Sequence, residues 1–476
     1  MDIKKKMKIK NICCIGAGFV GGPTMAVIAL KCPEIKITVV DKNIDRINLW
    51  NGDIDNLPVY EPGLSEIISK VRNVNLFFSD NIEKSIEESE MIFMAVNTPT
   101  LSSGEGKGYA ADLKHIEESA RIIAKSSNSD KIVIEKSTLP VRTAEKIRKI
   151  LEQEKKSEVS FEVISNPEFL AEGTAINDLF KSDRVLIGGE DTISGKKAVD
   201  SLKNIYLRWI PNTKILLTNV WSAELSKLVS NAMLAQRISS INSISAICEK
   251  TGADIIEISK AVGMDSRIGK NFLTPSIGFG GSCFKKDILN LVYIARSYNL
   301  NEVADYWESV VSINSYQTNR ILPKVKELVQ SDLRNKTLTI LGWAFKKNTN
   351  DSRESASIYT ACNFLREGVK LNIYDPMIKK EKILNDIINQ FKEKNISNSK
   401  IDKFIKQVTV FDDEYESMEG SNIILISTEW DRFTKINWEL IHKKMNRPKL
   451  VVDGRNILNK QELEELGYKV YIIGKV

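Results

Sequence analysis

The apolar run Asn11-Ile-Cys-Cys-Ile15 ends in Gly16-Ala-Gly-Phe-Val-Gly21, and apolar residues resume at Pro23–Leu30. Strand, glycine turn and helix in immediate succession suit the opening unit of a parallel α/β sheet. Gly16, Gly18 and Gly21 have the spacing for a tight turn, close approach of a pyrophosphate and helix packing, with Phe19 and Val20 between them. Asp41 closes the next apolar segment. A carboxylate there accepts hydrogen bonds from the adenosine ribose of NAD and repels the phosphorylated ribose of NADP. Arg46 blurs that preference, since an arginine nearby can serve a phosphate.

The same alternation continues. Apolar segments at Ile9–Ile15, Ile37–Val40, Met91–Val96, Lys131–Glu135, Phe161–Ser165 and Arg184–Gly188 read as strands, with helical stretches between them. From Trp221 to about Lys250 the pattern changes. Leu225, Leu228, Ala232, Ala235, Ile238 and Ile241 recur at helical spacing without glycine or proline, and Gly252 stands where a helix would stop. Strand patterns return at Thr337–Leu341, Leu371–Tyr374, Asn422–Ser427, Leu450–Val452 and Lys469–Ile473, and Gly342 and Asp375 echo Gly16 and Asp41. The lysine-rich stretch Lys379–Lys406 reads as surface helix and loop. The expected architecture is α/β: two Rossmann-like doubly wound parallel-sheet domains joined by a long central helix. Expected boundaries are 1–218 for a dinucleotide-binding domain, 219–328 for a helical connector that also dimerises, and 329–476 for a second Rossmann-like domain.

At 476 residues the chain is too long for one ordinary core. A net charge of +6 is small for that length, and Lys4-Lys5-Lys6 reads as solvated surface, which argues against a nucleic-acid partner. The basic Lys4–Lys10 and apolar Ile12–Leu30 imitate a secretory leader, but the glycines and Pro23 break that run where a strand turns into a helix. Nothing else approaches a membrane span. Cys13, Cys14, Cys32, Cys248, Cys283 and Cys362 have no metal-ligand spacing, and His115 and His442 are the two histidines, so no metal site and no Ser-His-Asp triad is expected. Adjacent cysteines inside a buried strand point to a reducing compartment, the cytoplasm.

Several motifs sit where an α/β sheet binds ligands, at the carboxyl ends of its strands. Val96-Asn97-Thr98-Pro99-Thr100 follows one strand, and Glu135-Lys136-Ser137-Thr138 ends another. Ordinary loop capping would use the same residue types; the shared location favours ligand binding. Asn166-Pro-Glu-Phe-Leu-Ala-Glu172 holds Glu168 and Glu172 four apart, on one face if helical. One acid beside Phe169 and Leu170 could be tuned for proton transfer, and two acids at a helix start would serve equally. Glu224, Lys227 and Asn231 share one side of the long helix. A cation and an amide together can hold a developing oxyanion, although composition alone favours a solvated face.

Cys283 lies in Ile277-Gly-Phe-Gly-Gly-Ser-Cys-Phe-Lys-Lys-Asp287. Most cysteines are inert and buried. Glycines here allow close approach of a substrate, and a thiolate can hold an oxidised carbon covalently. A thiolate needs a nearby cation, for which Lys227 is the candidate. A nicotinamide site with a nucleophilic thiol suggests oxidation of an alcohol past the aldehyde to the acid.

In this order the motifs resemble the nucleotide-sugar 6-dehydrogenase family over nearly the whole chain. The resemblance rests on Ile12–Gly18, Tyr60-Glu-Pro-Gly63, Asn97–Thr100, Glu135–Thr138, Asn166–Glu172, Ser226-Lys-Leu228, Phe279–Cys283, Phe345-Lys-Lys347, Asp351-Ser-Arg-Glu354 and Asp453-Gly-Arg455. The adjacent cysteines and Leu234-Ala-Gln-Arg-Ile-Ser-Ser-Ile-Asn242 are similar to the animal and plant branch.

The resemblance implies NAD in the first domain and UDP held partly by the second. It implies Cys283 as nucleophile, Lys227 and Glu168 as proton-transferring or oxyanion-stabilising groups, and Asn231, Thr138 and Asp287 as groups that position the thiohemiacetal and the hydrolytic water. Ser137, Thr138, Glu172 and Arg353 match positions that contact NAD. Phe272 to Gly280 would wrap the nucleotide sugar, including Leu273, Ser276, Gly278 and Phe279. Phe345, Lys346 and Arg455 match substrate contacts, and Arg267 matches an arginine that reaches substrate across a subunit interface. The implied reaction takes UDP-glucose to UDP-glucuronate with two NAD⁺. The implied assembly is a homo-oligomer of dimer units, with a hexamer left open.

Two positions depart from the pattern: Thr274 stands where relatives often carry lysine, and Lys285 where glutamine is common. Both bear on substrate affinity, and Lys285 also bears on the thiolate fraction of Cys283. A sister enzyme for GDP-mannose or a UDP-N-acetylhexosamine, and a catalytically silent nucleotide sensor, are the alternatives. The silent sensor would be expected to lack Cys283, Lys227 or Asp287.

Overall fold

In a computed structural model the chain forms two compact units, Met1–Ser230 with Leu289–Leu300, and Asn231–Ile288 with Asn301–Val476. The structure describes residues 9–156 and 158–475; the Lys4–Lys6 run lies outside them.

The first unit carries one sheet. Its strands are β1 (Asn11–Ile15), β2 (Lys36–Val40), β3 (Leu76–Ser79), β4 (Met91–Met94), β5 (Lys131–Glu135), β6 (Phe161–Ser165), β7 (Val185–Gly189) and β8 (Ile215–Asn219). They lie in the order β3-β2-β1-β4-β5-β6-β7-β8, parallel except where β6 meets β7 at Ser165 and Gly188. The second sheet has β9 (Thr337–Leu341), β10 (Lys370–Tyr374), β11 (Val408–Val410), β12 (Ile423–Ile426), β13 (Leu450–Asp453) and β14 (Lys469–Ile472) in the order β11-β10-β9-β12-β13-β14, parallel throughout. Both are doubly wound sheets, as expected. The strand order reverses between β1 and β4 in the first and between β9 and β12 in the second.

Central strands are apolar on both faces because helices cover both. In β1, Ile12 and Cys14 enter one core while Cys13 and Ile15 enter the other. Three strands escape the sequence patterns, β3, β8 and β11, and each lies at a sheet edge. Edge strands are short and half-solvated, so their apolar signal is weak; β8 leaves Leu216 and Leu217 exposed.

The long helix runs from Val220 to Thr251, with Gly252 just past its end, and contributes residues to both units. Leu228, Ala232, Ala235 and Ile241 are buried as the spacing predicts, whereas Leu225 is exposed. The Lys379–Lys406 stretch holds two helices, Lys380–Glu393 and Asn398–Ile405.

Candidate functional site

In the first unit the glycine turn follows β1 at the switch point, where the strands diverge and leave a crevice. Gly16 has φ of +112°, and a Cβ there would lie 2.3 Å from the Ala95 carbonyl oxygen, so only glycine fits. At Gly18 a Cβ would meet nothing within 4 Å. That open space at the start of the helix Gly21–Lys31 suits a pyrophosphate approaching the backbone. Gly21 packs on the Gly16 carbonyl, and Gly22 on the Trp50 ring, whose Nε1 donates to the Ala17 carbonyl.

Asp41 Oδ2 accepts from the Ala17 amide and from Arg46, each at 3.0 Å, and Oδ1 accepts from the Asn43 amide. Arg46 is therefore the carboxylate's partner here. The second sheet repeats this turn. Gly342 has φ of +98° and its amide reaches the Tyr374 carbonyl, as Gly16 reaches Val40. Asp375, however, accepts from the amides of Trp343, Ala344, Met377 and Ile378 and from Trp430, and Ala344 stands where the first unit has Gly18. Protein donors saturate that carboxylate, so the second turn copies the shape of the first without its spare acceptor capacity.

The other crevice loops are bonded to one another. Thr98 Oγ1 donates to the Thr138 carbonyl at 3.0 Å, and Ser137 Oγ donates to the Val96 carbonyl at 2.6 Å. Val96–Thr100 and Glu135–Thr138 thus form one rim. The rim is clipped from behind by Glu224, which accepts from the Arg142 and Ala144 amides at the start of the helix Thr143–Glu154. Glu135 is buried; burial and then the neighbouring Glu224 hold its carboxyl well above the usual range, so it carries the proton of that pair.

Asn166–Glu172 is not helical, so Glu168 and Glu172 do not share a helix face. A local turn replaces it, in which Glu168 Oε2 accepts from the Leu170 amide at 2.6 Å. Glu168 is buried, and its Oε1 lies 3.1 Å from Lys227 Nζ. Phe169 stacks between Arg184, at 3.8 Å from its ring centre, and Lys227, at 5.5 Å. Glu172 is half-buried in the following turn, where Glu61 of the Tyr60–Gly63 motif accepts from the Gly173 and Ala175 amides. The solvated-face expectation for Glu224, Lys227 and Asn231 is overturned: all three are buried, and each has its own partner.

Lys136 was not singled out from the sequence. Its ammonium is buried against Asn166 Oδ1 at 3.1 Å and the Tyr206 hydroxyl at 3.3 Å. Burial pushes it down to about 8, with Glu168 raising it and Lys227 lowering it. Its place inside the Glu135–Thr138 motif was the one available signal.

The second unit holds the thiol. All six cysteines are thiols; Cys283 is half-buried and the other five are buried. Cys283 precedes the helix Phe284–Ser297, and its carbonyl accepts from the Asp287 amide at 2.9 Å. Ser282 Oγ is 3.5 Å from its Sγ. Asp287, buried, accepts from Asn231 Nδ2 at 2.6 Å and from Lys286 at 2.7 Å. Asn231 and Asp287, paired in function by the resemblance, are thus bonded directly.

The loop before Cys283 is pinned at several points. Arg237 holds the Gly269 and Asn271 carbonyls, Asn242 Oδ1 accepts from the Ser276 amide, and the Asn314 side-chain amide makes two bonds to Phe279. Gly278 has φ of +130°, and a Cβ there would press on Thr318 and Asn314. Leu273, Ser276, Gly278, Phe279 and Gly280 are buried, whereas Phe272 and Thr274 are exposed. Arg237 and Asn242 sit in the Leu234–Asn242 stretch without an assigned role, and Asn314 was not singled out, because their partners are backbone groups distant in sequence.

Arg455 donates to the Ser427 carbonyl at 2.6 Å and the Phe345 carbonyl at 2.9 Å, and lies 3.3 Å from Glu429. Lys346 is half-buried, 5.6 Å from the Phe345 ring centre. Arg353 makes a two-pronged bond to the buried Asp351. Arg267 is 87% exposed and paired with Asp265. Among the described residues, no helix is long and apolar enough to cross a membrane and no acid, thiol and imidazole cluster could hold a metal ion.

Three family models match along the chain: the NAD-binding domain of the UDP-glucose/GDP-mannose dehydrogenase family at 10–210, its central domain at 221–316, and its UDP-binding domain at 339–460. The chain is similar to a UDP-glucose 6-dehydrogenase of Drosophila melanogaster, 53% identical over 98% of this chain and 96% of that one. It is similar to UDP-glucose 6-dehydrogenase 2 of Arabidopsis thaliana, 52% identical over 98% and 97%. Among solved structures it is similar to a UDP-glucose dehydrogenase from Pyrobaculum islandicum, with a TM-score of 0.82, 27% identity and complete coverage of both chains.

Proposed function

The chain belongs to the UDP-glucose/GDP-mannose dehydrogenase family, and from that membership we propose that it oxidises UDP-glucose to UDP-glucuronate with NAD⁺ through a covalent adduct on Cys283. The balanced reaction takes UDP-glucose, two NAD⁺ and water to UDP-glucuronate, two NADH and three protons. The observation that carries it is the half-buried thiol of Cys283, one helical turn before the buried Asp287 whose carboxylate is bonded to Asn231.

Bound NAD⁺ supplies the electron acceptor for each of the two oxidations. The open space at Gly18 and the single-carboxylate turn at Asp41 suit its pyrophosphate and ribose. Asp41 would accept from the ribose hydroxyls beside Arg46, and Ser137, Thr138, Glu172 and Arg353 would complete the contacts. The first oxidation leaves an aldehyde at C6. The Cys283 thiolate adds to it, giving a thiohemiacetal whose oxygen is stabilised by Lys227 and Asn231. Oxidation of that adduct gives a thioester. Asp287 and Thr138 orient the water that cleaves it, and Cys283 returns as the thiolate. A covalent adduct keeps the aldehyde from escaping between the two oxidations.

Phe272 to Gly280, Phe345, Lys346 and Arg455 hold the nucleotide sugar, Phe169 and Leu170 flank it, and Arg267 serves the substrate of a neighbouring subunit in a homo-oligomer. The protein works in the cytoplasm in this reading.

The test is turnover with UDP-glucose, GDP-mannose and two UDP-N-acetylhexosamines, followed at 340 nm. Two NADH per UDP-glucose and no comparable rate with the others are expected. One NADH per sugar would overturn the acid product, and preference for another sugar the substrate. Cys283→Ser is expected to bind UDP-glucose and release no glucuronate; full turnover by that variant would overturn the covalent role.

A further inference from the structure

Lys285 is two residues past the thiol, and its side chain is bonded within the second unit. Its Nζ lies 2.8 Å from Glu354 Oε2 and 3.2 Å from the Tyr359 hydroxyl, and the same Glu354 oxygen accepts from that hydroxyl. Burial pushes the Tyr359 phenol far up, so it stays neutral and donates. One carboxylate oxygen therefore collects an ammonium and a phenol.

The backbone around this cluster is unusually close. Glu354 has φ of +54°, a left-handed conformation that costs a non-glycine residue on the order of 1 kcal/mol or more. The Gly281 amide donates to the Arg353 carbonyl at 2.8 Å. A Cβ on Gly280 would lie 2.6 Å from the Glu354 carbonyl oxygen, so the loop leading to Cys283 rests directly on the strained residue. Arg353 is fixed in turn by Asp351.

We propose that Lys285, Glu354 and Tyr359 form a charge-balanced clamp that positions Cys283 and keeps the charge beside its thiol neutral. Lys285 is a positioning residue, one that touches neither sugar nor cofactor. The inference rests on Cys283 being the nucleophile. Two other charged pairs lie in the same segments, Lys286 with Asp287 on the helix after the thiol and Arg353 with Asp351 beside Glu354, and in the proposed reaction Lys227 also serves the adduct on Cys283. Glu393 and Cys362 also act electrostatically on Tyr359, both raising its phenol. Removing one clamp partner leaves the other's charge uncompensated, and the two removals act on the thiol with opposite signs.

The experiment is alkylation of Cys283 in the protein without substrate, by iodoacetamide, followed by mass spectrometry across pH 6–10. The other five thiols are buried, which keeps their background low. Lys285→Met is expected to move the reactivity midpoint up and Glu354→Gln to move it down, each by about half a pH unit or more. Lys285→Arg and the double variant Lys285→Met/Glu354→Gln are expected to stay near the starting midpoint. Lys285→Met is also expected to lower kcat at least tenfold with little change in KM, with Lys285→Arg restoring most of it. Shifts of the same sign in both single variants, or none, would overturn the clamp. Alkylation is read without UDP-glucose, so failure of the wild-type chain to make NADH would count against the proposed reaction and leave the clamp to be judged by its midpoints.

Discussion

Lys227 Nζ and Glu168 Oε1 lie 3.1 Å apart with both side chains buried, and Phe169 covers the ammonium. A buried ion pair costs desolvation on both sides, so it is weak evidence for stability and better evidence for use. Removing one partner strands the other charge at a cost of about 3–5 kcal/mol. Lys227→Met and Glu168→Gln should each lower the melting temperature and reduce kcat by about a hundredfold or more. The double variant should recover melting temperature but not activity. Thermal scans and NADH formation check both halves.

Gly16 and Gly18 are expected to separate folding from binding. Alanine at Gly16 meets the Ala95 carbonyl and an unfavourable φ, so Gly16→Ala should lower the melting temperature. Alanine at Gly18 meets open space, so Gly18→Ala should melt normally and raise the KM for NAD⁺ tenfold or more. Scanning calorimetry and initial rates at varied NAD⁺ distinguish the two.

Asp287 takes hydrogen bonds from Asn231 and Lys286 and shares a helical turn with Cys283. Asp287→Asn keeps the shape and removes the charge. It should slow hydrolysis of the thioester by about a hundredfold to ten-thousandfold and let the acylated protein accumulate. Intact-mass measurement after mixing with UDP-glucose and NAD⁺ should find the adduct on Cys283.

Lys136 gives a pH prediction. Burial lowers its ammonium from 10.5 to about 8, so the folded chain loses that proton before the unfolded chain does. Below about 8 the buried charge opposes folding in full. As pH rises from about 8 to 10.5 the opposition fades, worth on the order of 3 kcal/mol. Lys136→Met lacks this proton. Its melting temperature relative to the wild-type chain should be most favourable near pH 7 and should decline by several degrees as pH approaches 10.

Much of the fold was legible because buried parallel strands are apolar throughout, as Met91–Met94 and Leu450–Val452 are, and because glycine spacing carries its own geometry at Gly16–Gly21. Three of the four edge strands, β3, β8 and β11, were not legible, since solvent on one face dilutes their pattern; β14, at the fourth edge, was. Glu168 and Glu172 misled through their four-residue spacing: a helix would align them, but the segment is not helical and Glu168 accepts from the Leu170 amide instead.

Composition placed Glu224, Lys227 and Asn231 in solvent, because charged helix positions usually are. Burial reversed that through partners far away in sequence: the Arg142 and Ala144 amides, Glu168 and Asp287. Lys136 and Asn314 were invisible for a related reason. A side chain bonded to another element leaves no trace in its own neighbourhood of the sequence.

Local geometry was the sequence's to determine: where strands turn into helices, which glycines admit a left-handed turn, and that a thiol stands in a glycine loop. Those outcomes depend on sterics and periodicity within a few residues. Tertiary structure decided which of two similar turns keeps a carboxylate with acceptor capacity to spare, Asp41, and which, at Asp375, is consumed by protein donors. It also decided which charges are buried. Both depend on what distant segments bring within hydrogen-bonding reach, and no local pattern encodes that.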